Sequence, residues 1–298
     1  MPLIQKDLAT VTPLHLPALN SRGISASILR LDKVHPVIAG NKWFKLQYYL
    51  EQAKTENKKQ IVTYGGPWSN HLVATAAACK ELGISARGIV RGEAGNSLTA
   101  TLSDAKYYGM ELTFISRDDY ALQKKQFKSV SPAELVIPEG GYGPLGAKGA
   151  ATIATLLPEQ PYTHLLCAVG TGTLLAGLIQ AMPTHCQCIG IPVLKGKAAL
   201  EQSVAQLLPS PFVNWELMEG FEWGGYAKYS QALLNFMNDF FDRTSIPTDL
   251  VYTSKMCNAF LQLVEQDYFK PGSEVLLIHS GGLQGNRSLP QGQLKFGS

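Results

Sequence analysis

A chain of 298 residues has room for two compact domains. With 45% hydrophobic and 16% charged residues and a mean hydropathy near zero, it is a soluble chain with ample core. That composition excludes disorder and coiled coil, which need more charge and less apolar content. Lys+Arg (26) exceeds Asp+Glu (23) by only three, and the basic residues are scattered, which argues against a nucleic-acid partner.

The N-terminal MPLIQKDLATVTPLHLPAL lacks a basic start followed by a continuous apolar core, and Pro13 and Pro17 interrupt it. It does not read as a signal peptide. No apolar run nears the roughly 20 residues needed to cross a bilayer, so no membrane partner is expected. The five cysteines (Cys79, Cys167, Cys186, Cys188, Cys257) are odd in number and dispersed. They suit reduced core residues of a cytoplasmic protein better than a disulfide framework. Cys186 and Cys188 stand beside His185, but no second ligand pair follows, and a metal is not expected.

From residue 61 onward, short β-branched runs alternate with longer Ala/Leu-rich segments. The pattern gives a strand at 61–64, a helix at 70–82 closed by Gly83, and a strand at 86–91. A helix near 98–108, a strand at 111–115, a polar helix near 117–128 and a strand at 135–138 follow. Next come a helix at 145–157, a strand at 164–169, a helix at 173–182 and a strand at 187–193. Helices near 197–208, 226–242 and 254–268 precede the last strand at 274–279. This alternation predicts an α/β fold of two domains, each a mostly parallel twisted sheet flanked by helices. The expected division is a smaller α/β domain over 46–145 and a larger one built from 1–45 plus 146–298.

In such folds ligands bind beyond the carboxyl ends of the strands. Glycine-containing segments follow four of these strands: TYGGPWSNH, IPEGGYGPLG, AVGTGT and IHSGG. Gly141-Tyr142-Gly143-Pro144-Leu145-Gly146 satisfies G-x-G-x-x-G, but the next strand, HLLCAV, lacks the acidic residue a dinucleotide site needs. Ala147 stands where a Walker loop needs lysine. Gly170-Thr171-Gly172-Thr173 at a helix start can be a plain tight turn or a cup for one phosphate monoester. Lys42 and Lys45 share one face if helical, either as a surface pair or, given the apolar Trp43 and Phe44, partly enclosed. Ser69 can be a simple helix cap or can join Asn70 and His71 in offering amides to an anion.

GNKWFKL, GGPWSNH, PEGGYGPLGAKG, GTGTLLAGL, VYTSK and IHSGG occur in this order. Over roughly residues 20–285 the chain resembles the D-cysteine desulfhydrase/1-aminocyclopropane-1-carboxylate deaminase family. These are pyridoxal-phosphate enzymes of fold type II, similar to tryptophan synthase β. The resemblance implies pyridoxal 5'-phosphate as cofactor, with Lys42 as its Schiff-base lysine. Lys45 would lie near the phosphate, cradled by Gly170, Thr171, Gly172, Thr173 and Leu174. Asn70 would meet the 3-hydroxyl, and Ser69 with the amides of 69–71 would hold the substrate carboxylate, with His71, Trp68 and Tyr142 around the substrate. Tyr226 and Tyr252 match the paired active-site tyrosines.

Deaminases of this family read YEGK after the second tyrosine and desulfhydrases YTGK; Thr253 fills that position here, and Ser280 offers a second hydroxyl toward the pyridine nitrogen. A hydroxyl gives a weaker electron sink than a carboxylate, which favours loss of a good leaving group over opening of a cyclopropane. Several positions depart from the family: Trp68 stands for Gln, Phe44 and Val73 for Arg, Tyr142-Gly143 for Ser-Asn, and Thr173-Leu174 for Gly-Thr. The expected reaction is β-elimination from a small amino acid such as D-cysteine, giving pyruvate, ammonia and sulfide. The alternatives are deamination of 1-aminocyclopropane-1-carboxylate to 2-oxobutanoate and a non-catalytic cofactor-binding protein. Family analogy implies a homodimer.

Overall fold

The computed structural model describes residues 4–124, 126, 129, 131–159 and 161–296. In chain order the elements are β1 (Val11–Pro13), α1 (Pro17–Asn20), β2 (Ser25–Arg30), α2 (Asn41–Thr55), β3 (Gln60–Gly65), α3 (Asn70–Leu82) and β4 (Ser85–Arg91). Then come α4 (Ala100–Tyr107), β5 (Met110–Ile115), α5 (Arg117–Lys124), β6 (Glu134–Ile137), α6 (Pro144–Ala151), β7 (His164–Val169) and α7 (Thr173–Ala181). β8 (Gln187–Pro192), α8 (Lys197–Ala205), β9 (Trp215–Leu217), α9 (Gln231–Thr244), α10 (Thr253–Glu265) and β10 (Glu274–His279) complete the series.

β5-β4-β3-β6 form a parallel four-stranded sheet. β1-β2-β10-β7-β8-β9 form a second sheet, parallel except where β1 meets β2. Central strands such as β7 and β10 are buried from their second residue onward. Buried on both faces, they read in sequence as continuous apolar runs rather than alternating ones. The position between residues 45 and 46 falls inside α2. Phe44 of this helix packs in the core around β7, whereas Leu46, Leu50 and Ala53 pack with β3 and α3.

Several boundaries differ from expectation. β1, β2, α2 and β9 were not foreseen. α6 ends at Ala151 and tightens into a 3-10 turn over Thr152–Leu156. α8 stops at Ala205. The helix expected from 226 begins only at Gln231, because the Gly224-Gly225 pair and positive φ at Trp223 and Ala227 break the preceding segment. The Ser230 side chain then caps it by accepting from the Leu233 N–H at 3.4 Å. Residues 125, 127 and 128 of the helix expected over 117–128 lie outside the described residues. All five cysteines are free and buried, and among the described residues no helix is long and apolar enough to cross a membrane.

Helices α2, α6 and α7 stack with backbone touching backbone. A Cβ on Gly149 of α6 would lie 1.8 Å from the Phe44 carbonyl of α2, and one on Gly177 of α7 would lie 2.4 Å from the Ala147 carbonyl of α6. Gly149→Val should therefore cost about 3 kcal/mol or more in chemical denaturation, because a rigid backbone cannot yield as a side chain does. Gly95→Ala, with its nearest neighbour at 3.6 Å, should stay within about 0.5 kcal/mol of the parent.

Candidate active site

The exits of β3, β6, β7 and β10 open on one cavity of about 790 Å³ between the two sheets. Gly40, at φ +67°, starts α2 hard against the β10 exit, where a Cβ would lie 1.9 Å from the Ser280 carbonyl. The Asn41 N–H donates to that carbonyl at 3.1 Å. This docking carries Lys42 and, one helical turn on, Lys45 into the cavity wall.

Lys42 Nζ donates to Asn41 Oδ1 at 2.7 Å and stands 5.8 Å from the centre of the Tyr252 ring. Loss of hydration pulls its pKa down to about 8, opposed by the Asp249 carboxylate. Lys45 is buried and held well below an ordinary lysine, by burial first and by Lys42 second. Among the described residues its ammonium makes no hydrogen bond and no ion pair. A buried donor in that condition calls for an anion.

Asn70 and His71 open α3, and Ser69 precedes them as N-cap without using its side chain to cap. Ser69, Asn70 and His71 all line the cavity, and the Asn70 and His71 N–H groups at the helix start have no partner within the helix. Asn70 donates to the Gly282 carbonyl at 3.4 Å, while its Oδ1 is buried without a protein partner. The Thr63 hydroxyl donates to the Ile137 carbonyl at 2.8 Å, so at 2.8 Å from His71 Nε2 it must accept. His71 therefore carries its proton on Nε2. Its Nδ1 is buried with no partner, and burial with the nearby Lys45 and Lys42 holds the imidazole neutral.

Gly170, Thr171, Gly172 and Leu174 line the same cavity as Lys45 and the α3 start, at the N-terminus of α7. Gly172, at φ +86°, lies so close to α8 that a Cβ would meet Val204 at 2.8 Å. Tyr142 crosses to α8, donating to the Ser203 carbonyl at 3.0 Å, and Trp68 lines the wall at 38% exposure. Tyr226 and Tyr252 also line it, their hydroxyls 3.4 Å apart and their rings edge to face. Enclosure, then Tyr226, pushes the Tyr252 phenol well above its ordinary range.

Two expected residues take other places. Thr253 does not line the cavity. Its hydroxyl donates to Asp249 Oδ1 at 2.8 Å and accepts the Asp249 N–H at 2.7 Å, which leaves it no proton for a ligand. Ser280 is the hydroxyl that lines the cavity. Thr173 is fully buried, paired with Thr171 Oγ1 at 2.9 Å, and contributes to the cup as the first residue of α7 rather than as a lining side chain.

Asp249 went unnoticed in the sequence. Its carboxylate accepts the N–H groups of Val251, Tyr252 and Thr253 at 2.8–3.0 Å and so fixes the start of α10. An aspartate four residues ahead of a helix was the available signal. Arg91 and Lys195 also line the cavity and carried no sequence signal.

The family model described as "Pyridoxal-phosphate dependent enzyme" matches residues 6–281, and the chain belongs to that family. A Pyrococcus horikoshii protein provisionally named 1-aminocyclopropane-1-carboxylate deaminase is 28% identical over 92% of this chain and 90% of its own length. A D-cysteine desulfhydrase of Salmonella paratyphi A is 25% identical over 91% of each. The solved structure of an "ACC deaminase homologue" is 26% identical, with a TM-score of 0.79 over 93% of this chain and 90% of that one.

The cavity suits the family's cofactor, pyridoxal 5'-phosphate. It offers a lysine poised at about 8, a buried unpaired cation beside a glycine cup for a phosphate, and the unpartnered Asn70 Oδ1. Lys42 would hold the aldehyde carbon, Lys45 with the 170–174 cup the phosphate, Asn70 the 3-hydroxyl, and Ser280 would meet the ring nitrogen.

Amine-selective acylation of the cofactor-free protein, read by peptide mass spectrometry, should label Lys42 with a pH midpoint near 8. Asp249 raises that pKa, so Asp249→Asn should move the midpoint downward. An upward or absent shift contradicts the assignment.

Proposed function

We propose that the chain is a lyase acting on a small β-substituted amino acid such as D-cysteine, which with water gives pyruvate, ammonia and hydrogen sulfide. The observation that carries this is the floor of the cavity, where Ser280 supplies a hydroxyl while the Thr253 hydroxyl is committed to Asp249. When bound, the cofactor supplies an electron sink that makes the substrate's α-proton acidic. A hydroxyl at the ring nitrogen leaves that sink weaker than a carboxylate would, which is sufficient when the leaving group is good.

The chain's own residues supply the remainder. The Ser69 hydroxyl and the amides of Asn70 and His71 bind the carboxylate at the helix N-terminus; the Ser69 amide expected to join them is committed to the Gly66 carbonyl at 3.0 Å. Lys42, with a pKa near 8, is partly neutral at pH 7 and can take the α-proton on Nζ. Tyr226 and Tyr252 form a hydroxyl pair that can carry a proton. Trp68 and Tyr142 add bulky aromatic walls to the cavity that limit the size of the substrate. The same reading places the enzyme in the cytoplasm as a homodimer, with no nucleic-acid or membrane partner; the five free buried thiols are consistent with a reducing compartment.

The names of the Pyrococcus relative and of the solved homologue support a second reading, deamination of 1-aminocyclopropane-1-carboxylate. Keto-acid release from D- and L-cysteine, serine, chloroalanine and the cyclopropane acid separates the two. Pyruvate from the D-thiol substrate is expected, and 2-oxobutanoate from the cyclopropane acid alone would replace the first reading with the second. Borohydride reduction of the loaded enzyme should tag Lys42. Lys42→Ala should lower kcat/KM by on the order of 10⁴, and Ser69→Ala by roughly 10–100-fold, the value of one hydrogen bond to a charged group.

A further inference from the structure

Lys255 has no part in the chemistry above, yet its side chain is completely buried. It lies in the first turn of α10, three residues after Tyr252. Its Nζ donates to the Glu222 carbonyl at 2.8 Å and to the Gly225 carbonyl at 2.8 Å. Each carbonyl already closes a turn, accepting from Gly225 N–H at 2.9 Å and from Lys228 N–H at 3.1 Å respectively. Lys255 thus stitches together two successive turns, and Tyr226 sits where they join.

Those turns need an outside clamp. Trp223 at φ +50°, Gly224 at +87°, Gly225 at +117° and Ala227 at +54° place four of five consecutive residues in the left-handed region. Trp223 and Ala227 enter it against the preference of their side chains. Such backbone persists only when its surroundings over-determine it; residues 222–228 belong to no helix or strand, and Trp223 packs against the cluster that holds Leu233, Leu234 and Met237 of α9. Tyr226 itself is 43% exposed, so packing alone does not fix its ring.

We propose that Lys255 is a positioning residue that holds the 222–228 double turn and thereby aims the Tyr226 hydroxyl at Tyr252 across the cavity. The link to catalysis rests on the reading of Tyr226 given above; the clamp itself does not. Two N–H donors are needed for two carbonyls, and an amine supplies them with or without its third proton. The clamp is therefore insensitive to the lowering of this lysine to about 8 by burial, which Asp249 and Glu222 oppose.

Three measurements test this. In Lys255→Met, amide hydrogen exchange at residues 221–230 should accelerate at least 10-fold while exchange in α3 and α7 is unchanged. The cofactor dissociation constant should stay within about 2-fold and kcat should fall by roughly 100-fold, the scale of a misplaced catalytic group. Lys255→Met added to Tyr226→Phe should produce no further loss of kcat, which a general structural defect would not reproduce. Native exchange at 221–230 in Lys255→Met overturns the clamp. Tyr226→Phe at full rate overturns the catalytic placement of Tyr226, leaving hydrogen exchange to decide on Lys255. If Lys255→Met does not fold, nitrogen-15 lysine spectra of the wild-type protein decide: slowly exchanging Nζ protons coupled to the Glu222 and Gly225 carbonyls are expected, and their absence overturns the clamp.

Discussion

The site depends on the spacing of three helices. α2 carries Lys42 and Lys45, α7 carries the glycine cup at its N-terminus, and α6 lies between them, touching each through a glycine with no room for a methyl group. Gly149 and Gly177 sit inside helices, so distance rather than backbone freedom demands glycine there. If α6 stood off by the width of a side chain, Lys45 and the 170–174 cup could no longer serve one phosphate. The G-x-G-x-x-G match gains a different meaning in this light. Gly146 is required because a Cβ there would lie 1.9 Å from the Gly141 carbonyl and 3.0 Å from Thr173, which is helix packing beside the cup rather than a dinucleotide signature.

With the spacing fixed, the site is organised by unbalanced polarity. Asn70 Oδ1 and His71 Nδ1 are buried without a protein partner, each such group costing about 1–3 kcal/mol of folding free energy, and Lys45 is a buried side chain with no protein partner among the described residues. A ligand that satisfies them returns that energy as affinity and stabilises the fold by mass action. The neutral state of His71 belongs to the same arrangement: a third positive charge beside Lys42 and Lys45 would repel both. Thr63 fixes the tautomer that leaves an acceptor, not a donor, at Nδ1.

The strands from β3 to β10 other than the three-residue β9, and the helices following them, were readable because parallel strands buried on both faces leave apolar runs punctuated by glycine. α2 was not readable as a helix. Its sequence NKWFKLQYYLEQAKT mixes aromatic and charged residues around the whole circumference, since it faces two cores and a cavity at once. The motif residues from Lys42 to Ser280 could be gathered from their order along the chain, but the direction of a hydroxyl could not. Thr253 and Ser280 were equivalent in sequence, and only the carboxylate of Asp249, four residues upstream, separates them. Tyr226 was expected in a helix because WGGYAKY precedes a strong helical pattern; the strained turns and the lysine that secures them are long-range features with no local signature.

The first turn of α10 joins these observations. Asp249 uses its carboxylate on three consecutive N–H groups and on the Thr253 hydroxyl, which fixes Tyr252 from behind, while Lys255 reaches from the same turn to secure the loop of Tyr226. One helix end thus sets the position of both tyrosines, and the cost is that residue 253 is no longer available to the cavity. A glutamate at 253 could not enter this arrangement unchanged. It would give up the hydroxyl that Asp249 uses and bring a second carboxylate next to a buried one, where two like charges cannot both stay ionised. The hydroxyl floor supplied by Ser280 is therefore a consequence of how the tyrosines are held. A cavity built this way is suited to substrates that need little help from a protonated ring nitrogen, which are those whose β-substituent leaves readily as an anion.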